Sequence, residues 1–345
     1  MRLPDSSFYL FGMGHRPKLL YRRGALVDAL TGRPVRSWQV ASEHLSPSEY
    51  RVDLRAVDGS HIAVWEDEQG LWVQERDRVD CLDGSQVNLP DFAGHPHAAL
   101  LRVLHQEILV NIVGHRPLPN LFVYRTPWYR DAAMVCMCLE HTANLGLVAD
   151  WVLGLREPFD RNNAGNCETD NLGQALYMIS LVSDSSHPLV PLLLRAAGDA
   201  RRERHVVGLT DGQEHPVYQT KWLKLALNRL GLDDPYLIPE VYDSYSALFW
   251  MNYQEAHVEG PRFRQRAKDL YPYLAWAEAH FHREPPPMAF AGEGYPLTYE
   301  SHASEADYDG MGRVAEEYVA RKIAAPHSWH AAEMFLYLLE LGRHT

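Results

Sequence analysis

"TPWYRDAAMVCMCLEHTANLG", Thr126–Gly146, is the stretch on which the reading of this chain turns. From Ala132 to Leu139 it is apolar on nearly every side, so as a helix it must be wrapped by other elements. Its first turn is different, because Trp128, Arg130 and Asp131 crowd together there. Sugar sites use this set: aromatic faces stack on apolar C–H surface, and planar charged groups hold hydroxyls in pairs. A purely structural account competes with it. Asp131 would complement the helix dipole, Arg130 would pair with a neighbour, and Trp128 would simply pack.

Downstream of about residue 97 the apolar spacing keeps a 3.6-residue period. Helices are predicted to begin near His97, Trp128, Leu147, Asp170, Pro188, Pro216, Pro261, Gly312 and Ser328. In the fourth, Leu172, Ala175, Leu176, Ile179 and Val182 share a face, Thr169 is the expected N-cap, and Asp170 stands in the first turn. Upstream the pattern is period two: "EYRVDLRAVDGSHIAVWEDEQGLWVQE" alternates apolar and polar residues, with Asp58-Gly59 and Gln69-Gly70 where hairpin turns belong. Gly24 and Gly32 punctuate further short strands. The expectation is an antiparallel β module over residues 1–82, its meander covered on one face by the rest of the chain, followed by a helical domain over 83–345.

Two stretches carry a resemblance. "WYRDAAM" resembles the W-x-R-D-[AS]-A signature that opens an inner helix in glucoamylase-like glycoside hydrolases of the α/α-toroid (six-hairpin) class. "ETDNLGQALYMISL" is similar in placement to the next inner helix of that class, after a loop carrying the general acid. The resemblance implies a mainly α fold, an α/α toroid of helical hairpins behind the β module. It also implies that Trp128, Arg130 and Asp131 bind substrate at a central funnel.

The polar loops between helices are where the remaining chemistry is expected. In "EPFDRNNAGNCETDN" (157–171), Glu168 and Asp170 are candidates for a general acid and a water-orienting carboxylate, with Glu157 as a fallback. Glycoside hydrolysis needs two carboxyl groups, about 5–5.5 Å apart for retention or about 6.5–9.5 Å for inversion. The second is expected from "FAGEGYPLTYESHASEADYDG" (290–310), where Gly292 and Gly294 flank Glu293 in a tight turn. Glu300, Glu305 and Asp307 share that segment and read individually as a solvated acidic lid. Glu214, His215 and Tyr218 near Pro216, then Asp243 and Tyr245, are further substrate-binding candidates, although Tyr218 and Trp222 at i, i+4 also fit a core pair. His327 and His330 three apart could share a metal, but no supporting signature accompanies them. His330 is expected instead as a core or substrate-contacting residue, and no metal or cofactor is expected.

The 345 residues, 46% hydrophobic and 23% charged, suit a globular protein with a substantial core. A formal charge of −12 and the lack of a basic stripe argue against nucleic acid. The first residues do not read as a signal peptide, no apolar run suits a membrane span, and four cysteines without a CxxC pair suit a reducing compartment. The expected protein is therefore cytoplasmic, with a small carbohydrate as its partner, and its oligomeric state is left open. Hydrolysis of a glycosidic bond by a carboxylate pair is the expected activity. A sugar epimerase or isomerase using His215 and His330, or a non-catalytic carbohydrate-binding protein, are the alternatives.

Overall fold

The computed structural model describes residues 3–241, 243, 265 and 294–341. Its N-terminal part is two antiparallel sheets whose strands pair in sequence order. The first holds β1 (Tyr9–Phe11), β2 (Leu19–Arg22), β3 (Ala25–Asp28) and β4 (Pro34–Ser37). The second holds β5 (Val40–Ser46), β6 (Arg51–Ala56), β7 (His61–Asp67), β8 (Gly70–Glu75) and β9 (Arg78–Asp83). Hairpin turns fall at both predicted places: β6 returns through Asp58-Gly59, and Asp67 pairs with Gly70 across the β7–β8 turn.

Period-two alternation explains the layering. Val52, Leu54, Ile62, Val64, Leu71 and Val73 point inward from the second sheet and pack on Tyr9, Phe11, Leu19, Tyr21 and Leu26 of the first. The intervening Leu10 and Leu20, with Phe8, face the opposite way into the helical core. The first sheet is therefore a middle layer, and it, rather than the helices, covers the meander. The change near residue 83 is one of secondary structure, with packing continuous across it. Glu66 locks the layers, accepting from the Gly12 and Met13 amides at 3.0 and 2.9 Å and from Arg16 Nη1 at 3.1 Å.

The helical part contains α1 (Ala98–Val110), α2 (Tyr129–His141), α3 (Ala149–Leu153), α4 (Asp170–Val182), α5 (Val190–Asp199) and α6 (Pro216–Arg229). After residue 293 come α7 (Glu316–Ala320) and α8 (Ser328–Leu341). Helix starts near His97, Trp128, Asp170, Pro188, Pro216 and Ser328 coincide with predicted ones. Near Leu147 a 3-10 turn precedes the short α3, and near Gly312 another occupies Asp309–Arg313 before α7. The helix predicted near Pro261 lies outside the described residues. As the apolar circumference of α2 demands, it is wrapped: α4 packs on one side, α8 on the other, and α6 and α1 extend the row at its ends.

This arrangement overturns the expected α/α toroid. In such a ring each inner helix is followed by a long antiparallel outer partner. Here α1 is followed by the two-residue strands β10 (Ile112–Val113) and β11 (Arg116–Pro117), and α2 by the five-residue α3. Four more short strands, β12 (Arg201–Arg202), β13 (His205–Val206), β14 (Leu209–Thr210) and β15 (Gln213–Glu214), stand between α5 and α6. β16 (Glu300–Ser301) and β17 (Ile323–Ala324) then pair ahead of α8. Among the described residues the architecture is two stacked antiparallel sheets against a row of helices broken by small hairpins. No helix of these residues is long and apolar enough to cross a membrane.

Candidate functional site

Two adjoining helices meet a set of loops at the N-terminal end of α2. Trp128 precedes that helix in an extended conformation and makes no side-chain cap bond. Instead Asp160, from the 157–169 loop, accepts the Tyr129 amide and supplies the missing cap from across the chain. Burial pushes the Asp160 carboxyl up to about 7, against the help of that amide. Thr169 occupies the cap position of α4 but makes no side-chain cap bond. Its hydroxyl fills the space beside Gly208, where a Cβ would come within 2.0 Å of it.

Arg130 and Asp131 are consecutive, so their side chains leave α2 about 100° apart and serve different walls. The Arg130 guanidinium donates to Glu168 at 2.7 Å and to Asp211 at 2.5 Å, lies 3.8 Å from Asp170, and sits over the Trp329 ring. Asp211 and Gly212 both adopt positive φ in the β14–β15 turn, the conformation an Asp-Gly hairpin turn requires. That turn aims the Asp211 amide at Glu168 Oε1, 2.9 Å away, while Asn162 donates to the same oxygen at 3.2 Å. Glu168 is thus held by three donors. Burial raises its carboxyl, with the charge of Asp170 adding to it, against the opposing Arg130 guanidinium and Asp211 amide. Asp170 is fully buried and accepts from Thr210 and Gln174 at 2.9 Å each.

Asp131 faces the other wall. Pairing of Glu300 with Ala324 places the Glu300 carboxylate beside His327, just past β17. His327 Nε2 lies 3.2 Å from Glu300 and 3.9 Å from Asp131 Oδ1, and Tyr124 donates to Glu300 at 2.5 Å. Burial pushes Asp131 up to about 6, with His327 and Arg130 acting against it. Burial raises Glu300 as well, but the charge and hydrogen bond of His327 and the Tyr124 hydroxyl bring it below the ordinary range. His327 loses basicity through burial and regains more from Glu300 and Asp131, so it ends above the usual imidazole value. Asp131 Oδ1 is buried with no hydrogen-bond partner among the described residues.

These side chains surround a stepped cavity. An outer cleft of ≈ 540 Å³ lies between Asn162, Asn163 and Asn166 on one side and the 300–304 segment on the other, with His330 beneath. Trp128, Asp211 and Glu300 line both this cleft and an inner pocket of ≈ 60 Å³, to which Tyr124, Arg130, Asp131, His327 and Trp329 also contribute. The two loops singled out in the sequence, 157–171 and the described part of 290–310, therefore converge, joined by the β14–β15 turn. The residues singled out within them do not all reach the cleft. Glu168 and Asp170 stand behind it as partners of Arg130 and of α4. Glu214 is exposed and pairs with Arg202 on the surface. His215 bonds Asp243, whose other oxygen accepts the Val217 and Tyr218 amides, so the pair caps α6. Tyr218 is core, against Trp222 and within reach of Gln174. Glu293 and Tyr245 lie outside the described residues.

Of the side chains at the cleft, nothing in the sequence singles out Asp211 and Tyr124, Glu300 reads there as part of a solvated acidic lid, and His327 reads only as a metal ligand beside His330. Among the described residues no three His, Cys, Asp or Glu side chains are placed to hold a metal ion. The chain matches no family model, no curated protein and no solved structure.

Proposed function

We propose that the cleft binds a carbohydrate and hydrolyses its glycosidic bond, with Glu300 and Asp131 as the carboxyl pair. The observation that carries the proposal is their placement beside one imidazole, 3.2 and 3.9 Å from His327 Nε2. Against burial, the charge of His327 and the Tyr124 hydroxyl draw Glu300 below the ordinary range, while burial raises Asp131 to about 6. Two carboxyls whose environments push them apart divide acid and base roles between them. Both lie within 4 Å of His327 Nε2, so those oxygens are at most about 7 Å apart, a limit that admits the about 5–5.5 Å spacing of retaining pairs. In this assignment Glu300 acts as the base or nucleophile and Asp131 donates the proton to the leaving oxygen.

The walls suit a polyhydroxyl ligand. Three asparagine side chains and Ser301 offer donors and acceptors, and the half-buried Trp128 offers an indole at the step between cleft and pocket. Arg130, expected as a direct sugar clamp, lines the inner pocket and in this proposal meets the ligand there while its guanidinium also holds Glu168 and Asp211. The four free cysteines accord with the cytoplasmic setting that belongs to this proposal.

The test is a panel of chromogenic glycosides and short oligosaccharides with the wild-type protein, Glu300→Gln and Asp131→Asn. Turnover lost in both variants, with folding intact, is the expected result. Turnover unchanged in both would remove the assignment.

A further inference from the structure

We infer that Tyr124 selects the oxygen of Glu300 that reacts: its hydroxyl and His327 Nε2 both hold Oε2, leaving Oε1 to meet the sugar. The inference rests on the carbohydrate proposal above. Tyr124 donates to Oε2 at 2.5 Å, and His327 Nε2 lies 3.2 Å from the same atom. Among the described residues nothing hydrogen-bonds Oε1. The Glu300 side chain is 23% exposed and lines both the outer cleft and the inner pocket. A carboxylate tied at one oxygen cannot rotate without breaking charge-assisted hydrogen bonds, so its other oxygen is presented in a fixed direction. Oε1 then bonds the anomeric carbon as the bond to the leaving oxygen breaks, or takes a proton from the water that attacks there. In both courses Asp131 gives its proton to the leaving oxygen.

The two donors are carried by segments that the fold stitches together. Asn120 is fully buried; its Oδ1 accepts the Phe122 and Val123 amides at 2.9 and 3.1 Å, and its carbonyl accepts the Tyr124 amide at 3.0 Å. Its Nδ2 donates across to the Pro326 carbonyl at 2.7 Å, one residue before His327. Ser328 adds two more bonds, from its amide to the Pro119 carbonyl at 2.8 Å and from its hydroxyl to the Leu118 carbonyl at 3.0 Å. Tyr124 and His327 therefore belong to one hydrogen-bonded unit, although they are far apart in sequence. The Tyr124 ring packs edge to face with Trp128 and His327, its centroid 5.3 and 6.2 Å from theirs, which fixes where the phenol points. Burial and the Glu300 charge raise the Tyr124 hydroxyl, so it stays a donor. Arg130 and Asp131 also face Glu300, through their charge alone.

Steady-state kinetics of the full-length chain and of Tyr124→Phe, on the best substrate of the glycoside panel, test this. The phenyl ring keeps the packing and loses only the donor. The expected result is a fall in kcat of about tenfold to a hundredfold, the worth of a hydrogen bond to a charged group, with KM little changed. The acid limb of the pH–rate profile should also move to higher pH, because a donor that favours the Glu300 carboxylate is gone. Tyr124→fluorotyrosine makes the hydroxyl a stronger donor and should move that limb to lower pH; it gives the answer if the Phe variant does not fold. An unchanged kcat, or a fall in kcat with the acid limb unmoved, overturns the role of Tyr124 and leaves the carbohydrate proposal standing. No cleavage of any glycoside by the folded wild-type chain overturns both.

Discussion

The carboxylate of Glu300 lies 3.2 Å from the imidazole Nε2 of His327, and this contact organises the inner pocket. It couples the β16–β17 pair to the start of α8 and leaves Asp131 as the carboxyl that burial can raise. Replacing His327 with Gln removes the charge while Asp131 stays buried and Glu300, 23% exposed, is partly screened by solvent. The change is expected to cost about 1–3 kcal/mol at pH 6. The sign of its pH dependence follows from the raised imidazole. A histidine raised on folding contributes stability that is complete below its unfolded value and is lost as pH rises through the folded one. The stability gap between wild type and His327→Gln, from thermal unfolding between pH 5 and 9, should shrink toward the alkaline end.

Glu168 is predicted to act through Arg130 and not at the reacting bond. Glu168→Gln weakens a contact in which both side chains are 5% exposed or less. Breaking such a pair costs about 3 kcal/mol, here reduced because Asp211 and Asp170 still face the guanidinium. Denaturant unfolding should report that loss, and turnover per folded molecule should fall modestly. A drop of about a hundredfold or more in kcat at unchanged stability would instead mark Glu168 as a proton donor.

Glu333 on α8 is 4% exposed, and both its oxygens lack a hydrogen-bond partner among the described residues. Burial raises it well above the ordinary carboxyl value. An acid raised on folding binds more protons in the folded state than in the unfolded one, so stability falls as pH climbs from the unfolded value toward the folded one. The slope is about 1.4 kcal/mol per pH unit. Glu333→Gln keeps the shape and removes this term. The variant should equal wild type near pH 4 and exceed it in unfolding free energy at pH 7 to 8.

Gly173 lets α4 and α6 meet closely. A Cβ there would stand 2.5 Å from the Leu223 amide nitrogen and 2.6 Å from Trp222. Alanine favours a helix interior over glycine by about 1 kcal/mol, but the overlap is with backbone that cannot turn aside. Gly173→Ala is therefore predicted to destabilise by about 1–3 kcal/mol net, read from the denaturation midpoint. A stabilised variant would show that the two helices can separate at little cost.

The helices that begin at Tyr129, Asp170 and Ser328, and the β6–β8 hairpins, were legible because each rests on local periodicity and turn chemistry. The two converging loops, 157–171 and 290–310, were legible as long polar segments between apolar helices. Which of their side chains turn inward was not. Glu168 and Asp170 look catalytic in a linear reading, yet the charge of Arg130 draws them behind the cleft wall. Glu300 is one of several carboxylates in an acidic segment, and it is distinguished only by the pairing of its strand with Ile323–Ala324, more than twenty residues away. His215 and Asp243 are a helix cap assembled from distant positions. Ring closure was misjudged for a related reason: helical spacing shows that a helix is wrapped, but not by which partners.

The most direct test of the account is the pH–rate profile of glycoside cleavage in wild type, Glu300→Gln and Asp131→Asn. The expected wild-type profile is a bell, rising as Glu300 ionises below the ordinary carboxylate range and falling as Asp131 loses its proton near pH 6. Glu300→Gln should lose activity by about a thousandfold or more, and Asp131→Asn should abolish the alkaline limb along with most of the rate. A profile left intact by both substitutions, or no cleavage of any glycoside by the folded wild-type protein, would contradict it.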